Sequence, residues 1–96
     1  MFKVLTTVTF DEEFVLLRQQ KSMSARVKAI DKTLKFLSGP RHPGLQTHEF
    51  TSLKGPNGEK LFEAYAQQNT PAAYRVFWHY GPGRNEITVV AFTAHP

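Results

Sequence analysis

The sequence predicts an α+β fold. It reads as an N-terminal strand, then a two-helix antiparallel hairpin, then a three- to four-stranded antiparallel sheet, all in a single domain spanning residues 1–96. Three observations predict it. Residues 2–10 alternate in polarity with the period of a strand, residues 23–37 carry one helical stripe, and aromatic or β-branched runs divided by Gly/Pro turns follow residue 44.

The first strand rests on Phe2, Val4, Thr6, Val8 and Phe10, which alternate with Lys3, Leu5, Thr7 and Thr9. Asp11 is the expected N-cap of a helix running to about Gln20, with Glu12 and Glu13 in its first turn, where the dipole favours negative charge. Phe10 and Val15 stand at the positions of a hydrophobic staple, and Phe14 and Leu17 are expected to be buried. Ser22 or Ser24 would cap the second helix. Its stripe is Met23, Val27, Ile30, Leu34 and Leu37, and Arg26, Lys28, Lys32 and Lys35 fall off it toward water. Gly39 is the expected left-handed cap and Pro40 the stop. The very short turn between the helices makes them an antiparallel hairpin.

Residues 40–44 read as a loop, 45–53 as a strand or extended stretch, and 54–58 as a turn. Strands are expected over 59–67, 72–80 and 85–94, divided by turns at 69–71 and 81–83. Connections this short imply antiparallel neighbours. The helical hairpin would cover one face of the sheet and leave the other for function.

Composition narrows the class. A hydrophobic fraction of 41% and 12% aromatic residues exclude a disordered tail. Without cysteine there is no disulfide framework and no thiolate metal site, which suits a reducing cytoplasm. The apolar runs are too short to span a membrane, and strand-like alternation from Phe2 leaves no room for a signal peptide, so a cytoplasmic protein is expected. A net charge of +4 and a pI of about 9.6 favour anionic partners, either nucleic acid or an acidic protein segment.

In the strand over 72–80, alternation assigns Tyr74, Val76, Trp78 and Tyr80 to the core side. Arg75 and His79 then share the opposite face, an expected 7 Å or so apart. A guanidinium on a rigid strand suits a phosphate, because its planar fork donates two hydrogen bonds at once. Arg75 equally fits a solvated residue or a partner for Glu63 across the ladder. His95 is in phase with Ile87, Val89, Ala91 and Thr93, and imidazole titrates near neutrality, so it can move a proton; the plainer reading is a frayed end. His48 suits a base or surface decoration alike. His42, His48, His79 and His95 lack the spacing of a metal site, so no metal is expected. The cations Arg26, Lys28, Lys32 and Lys35 are most simply a solvated helix face. Lys54, Lys60, Arg41 and Arg84 lie in loops or strand ends that would rim the sheet, where cations can follow a nucleic-acid backbone.

Taken in order, four segments resemble the RelE/ParE superfamily of toxins from bacterial type II toxin–antitoxin systems. They are Pro43–Phe50, Leu53-Lys54-Gly55, Ala73-Tyr74-Arg75-Val76-Phe77 and Ile87–His95, and the likeness covers nearly the whole chain. The resemblance implies an endoribonuclease that cleaves messenger RNA, usually in the ribosome, with no metal or other cofactor, and that is neutralised by a cognate antitoxin protein. It implies attack by the ribose 2′-hydroxyl on the adjacent phosphate. Arg75 matches the family's strand arginine and would stabilise phosphorane charge. His95 matches the terminal-strand histidine and would be the acid. His48 matches a histidine of some branches and would be the base, with Lys54 aiding the phosphate; Lys60, Arg41, Arg84 and His79 would complete the RNA-binding surface. Family ribonucleases commonly carry a polar residue and an aromatic beyond the terminal histidine, where this sequence has Pro96. The resemblance therefore also embraces a ParE-like toxin that binds DNA gyrase without chemistry, and a non-toxic protein-interaction domain.

Overall fold

Thr7, not Asp11, starts the first helix. In the computed structural model, which describes residues 2–39, 47–66 and 74–94, β1 is Lys3–Thr6 and α1 is Val8–Arg18. The Thr7 hydroxyl accepts the Phe10 N–H at 3.1 Å and donates to the Val90 carbonyl at 3.4 Å. One side chain thus satisfies an orphan helix donor and fastens the helix start to the sheet. Phe10 fits a two-residue alternation, but it also stands four and seven residues ahead of Phe14 and Leu17, and all three are buried. Val8 and Val15 point outward, so the expected Phe10–Val15 staple does not form.

A 3-10 turn, Lys21–Met23, leads into α2, Ser24–Ser38. Neither serine caps it. Met23 occupies the N-cap without a side-chain hydrogen bond, and Ser24 is already helical. The expected stripe is otherwise the buried one: Ile30 and Leu37 are fully covered, with Met23, Val27 and Leu34 packed beside them. Thr33 joins this face because its hydroxyl donates to the Ala29 carbonyl at 2.9 Å. Gly39 has φ −83° and ψ 170°, an extended backbone and not the expected left-handed cap. Its N–H bonds the Phe36 carbonyl, and the Ser38 hydroxyl donates to the Lys35 carbonyl. Helix-end carbonyls are thereby satisfied without a left-handed residue.

The remaining strands are β2 Thr47–Lys54, β3 Lys60–Tyr65, β4 Tyr74–Tyr80 and β5 Glu86–Ala94. They form one five-stranded sheet in the order β1-β5-β4-β3-β2. β2 to β5 are antiparallel, as their short connections require, whereas β1 lies parallel to β5. The expected antiparallel sheet therefore has four strands, and the N-terminal strand completes it. The loop expected at 40–44 and the turn at 69–71 lie outside the described residues. In the β2–β3 turn Gly58 adopts φ 83°, a conformation that favours glycine.

Both helices lie on one face. Val76, Trp78, Ile87 and Val89 are fully buried beneath Phe10, Phe14, Leu17, Ile30 and Leu37, each contributing about 1.5–3 kcal/mol by leaving water. Phe77 pairs with Ala91 but Trp78 pairs with Val89, so Val90 is an extra residue, a β-bulge. The single phase expected through Ile87, Val89, Ala91, Thr93 and His95 breaks there. Ile87 and Val89 face the helices, whereas Ala91 and Thr93 lie opposite Phe77 and Arg75 on the other side. His95 is outside the described residues. None of the described helices is long and apolar enough to cross a membrane.

Candidate nucleic-acid interface

Alternation along three adjacent strands assembles the face turned away from the helices. β4 supplies Arg75 and Phe77, β3 supplies Leu61, Glu63 and Tyr65, and β2 supplies His48 and Phe50. Their register puts Tyr65 opposite Arg75, Glu63 opposite Phe77, and His48 opposite Glu63.

Arg75 sits at the centre, in the environment that the ladder-pairing alternative described. Its Nη1 donates to Glu63 Oε2 at 2.7 Å, and the two side chains are 17% and 11% exposed. The guanidinium carbon lies 5.3 Å from the centroid of Phe50 and 5.0 Å from that of Phe77. These rings meet each other edge-on at 4.9 Å. The aromatic faces attract the cation and exclude water from one side of it, which strengthens any charge contact it makes. Its buried Nε–H has no hydrogen-bond partner among the described residues. His48 is exposed, its ring 6.1 Å from that of Tyr65 in an edge-on arrangement. Glu63 thus lies between the two proposed reactive side chains, bonded to Arg75 and directly across the ladder from His48.

His79 departs from expectation. It lies four positions beyond Arg75, about 13 Å of strand and not 7 Å. It is 5% exposed, and both ring nitrogens are turned to the protein. Nδ1 lies 2.8 Å from the Tyr80 carbonyl, so in the neutral ring Nδ1 carries the proton. Nε2 faces Glu59 Oε2 at 3.8 Å. An imidazole held this way presents little surface on the open face. The Asn57 N–H donates to Glu59 Oε1 at 2.8 Å. That bond, then Glu59's own backbone N–H and, less strongly, the nearby His79 hold the Glu59 carboxyl below its ordinary range, against a small opposing effect of burial.

The exposed cations Lys54 and Lys60 are ladder partners at the end of β2 and the start of β3. Arg84, also exposed, lies in the β4–β5 turn at that same end of the sheet. Arg75 and His48 belong to the other end, roughly 15 Å away by strand rise. The structure therefore groups Arg75 with His48, and Lys54 with Lys60 and Arg84, a strand's length apart. Arg41, His42 and His95 lie outside the described residues. Among the described residues no three His, Cys, Asp or Glu side chains converge as metal ligands. Sequence reasoning gave no role to Phe50 and Phe77. Their signal was an aromatic residue in phase with a charged one, on the face that the helices leave open.

The mixed five-stranded sheet with both helices on one face matches solved structures of YoeB/ParE and RelE toxins over nearly their whole length, so this chain has a RelE/YoeB-like fold. The YoeB/ParE toxin from Agrobacterium tumefaciens matches it with a TM-score of 0.66 at 12% identity, over 99% of this chain and 100% of that one. The heterotetrameric YoeB–YefM toxin–antitoxin complex from Staphylococcus aureus gives 0.61 at 14% identity, over 100% and 99%. The RelE–RelB complex from Pyrococcus horikoshii OT3 gives 0.54 at 16% identity, over 97% and 93%. No protein-family model matches the sequence, and no curated protein does.

Proposed function

We propose that this chain is the toxin of a toxin–antitoxin pair and acts as a metal-independent endoribonuclease on messenger RNA, in association with the ribosome. The position of Arg75 carries this reading: a guanidinium on a central strand, on the face opposite the helices, with His48 next in line beyond Glu63. His48 takes the proton of a ribose 2′-hydroxyl as that oxygen attacks the adjacent phosphorus. The P–O2′ bond forms as the P–O5′ bond breaks. Arg75 meets the charge gathering on the non-bridging oxygens, and His95 gives a proton to the departing 5′-oxygen. The products are a 2′,3′-cyclic phosphate and a 5′-hydroxyl. Lys54, Lys60, Arg84 and Arg41 hold phosphates along the flanking backbone. A cognate antitoxin covers the helices or the basic face, by analogy with the complexes of YoeB with YefM and of RelE with RelB. The action is cytoplasmic.

Induced expression of the intact protein is expected to arrest growth and cut transcripts. Arg75→Ala and His95→Ala should each slow cleavage by about a hundredfold or more. Intact protein that neither arrests growth nor cuts RNA, with or without ribosomes, overturns the reading.

The Arg75–Glu63 pair favours a second reading, because an arginine already engaged within the protein can be purely structural. The chain would then be a ParE-like toxin that binds DNA gyrase without chemistry, or a non-toxic interaction domain. Gyrase inhibition that survives His95→Ala selects the former.

A further inference from the structure

Glu63 is a carboxylate on a face otherwise suited to anions. It is 9% exposed, it bonds one terminal nitrogen of Arg75 at 2.7 Å, and it sits directly opposite His48 in the ladder. That bond uses Nη1 alone; the Nε edge is covered in the free protein, and an oxyanion reaches it only when the side chains over it shift. The Nε–H on that edge is buried and without a hydrogen-bond partner among the described residues. A buried donor left unbonded is costly, and a ligand oxygen reaching it recovers that cost. Phe50 and Phe77 fix the plane of the fork from the sides.

We propose that Glu63 is an internal counter-ion with which any bound phosphate must share Arg75, and that it weakens phosphate binding at that site. The proposal rests on the reading of Arg75 as the phosphate site and adds a restraint to it. A phosphate on the Nε edge lies a few ångströms from the Glu63 carboxylate in a partly desolvated setting, so the two anions repel. One isolated phosphate gains too little to overcome that repulsion. A polyanion that also engages Arg84 in the turn at the far end of the sheet gains enough. The penalty falls equally on every ligand, so only ligands with further contacts still bind measurably.

Glu63→Gln is the direct test. The amide oxygen still accepts the Nη1 bond, and only the charge is removed. Binding of a labelled RNA oligonucleotide, a mononucleotide and inorganic pyrophosphate is measured for wild type, Glu63→Gln, Arg75→Ala and the double variant, with circular dichroism confirming the fold. Glu63→Gln is expected to tighten all three by about tenfold, equal to about 1.4 kcal/mol. The mononucleotide should pass from undetectable to measurable, and the gain should vanish in the Arg75→Ala background. Gain on pyrophosphate alone, with no variant binding RNA, upholds the counter-ion and overturns the ribonuclease reading. Unchanged or weaker binding in Glu63→Gln, with wild type still binding RNA, overturns the counter-ion and leaves the ribonuclease reading standing. Should Glu63→Gln fail to fold, Glu63→Asp withdraws the charge by one methylene and should tighten binding two- to threefold; no gain there refutes the proposal.

Discussion

Arg75→Ala is the natural probe of the candidate site, and the structure says that it will also destabilise the protein. The substitution abandons Glu63, whose side chain is only 11% exposed. Breaking a fully buried ion pair by removing one partner costs about 3–5 kcal/mol. Residual exposure lets water screen the abandoned charge, so about 2 kcal/mol is the figure here. Lost contact of the guanidinium with Phe50 and Phe77 adds about 1 kcal/mol, for a total of about 3 kcal/mol. Glu63→Ala alone, which strands the arginine instead, should cost about 2 kcal/mol. The double variant should cost about 2 kcal/mol, from lost ring contacts and packing alone, and not the sum, because neither charge is left unpaired, a coupling of about 3 kcal/mol. Urea unfolding followed by the fluorescence of Trp78, the sole tryptophan, measures all three. With a slope of about 1 kcal/mol per molar urea, the Arg75→Ala midpoint should fall by about 3 M. Strictly additive losses would refute the reasoning, since they would mean that the two residues do not sense each other. Loss of toxicity in Arg75→Ala should therefore be read beside the double variant, in which the folding defect per charge removed is smaller.

Two further outcomes follow from local geometry. Thr7→Ala should cost about 1–2 kcal/mol, while Asp11→Ala should cost only a few tenths, because Thr7 holds the cap and Asp11 merely sits in the first turn; thermal melts rank the two, and the reverse order would return the helix start to Asp11. The Glu59 carboxyl titrates below its ordinary 4.5 in the folded chain, so its contribution is fully present above that value and is lost as pH falls through the lower folded value. Glu59→Gln should accordingly lie below wild type in stability at neutral pH and converge with it in the acid limb of a denaturation series; parallel curves would contradict the assignment.

The parts of the fold legible in the sequence were those carried by one unambiguous period. Ile30 and Leu37 lie on a stripe with no competing alternation, and Val76 and Trp78 fall out of phase with Arg75 and His79, so their burial could be read directly. Phe10 belonged to two patterns at once, and only the Thr7 hydroxyl bond to its N–H decides between them. The parallel pairing of β1 with β5 joins residues more than eighty positions apart, and no local signal encodes a partner at that distance. Within the candidate site, alternation put Arg75 on the open face and allowed Glu63 as its partner. It could not reveal that His79 is buried with Nδ1 at the Tyr80 carbonyl, because strand period reports a face and not the depth of cover upon it.

The surplus residue at Val90 inverts which positions of β5 are free to change. Ahead of it, odd-numbered Ile87 and Val89 are bound to the interior; beyond it, even-numbered Phe92 is bound and odd-numbered Ala91 and Thr93 floor the open side beside Phe77 and Arg75. Variation at those two sites can reshape what the protein grips without touching the layer that keeps it folded. Removing Val90 alone would straighten the strand and leave Phe92 inward and Thr93 on the open side, so β5 should keep its phase on losing that one residue.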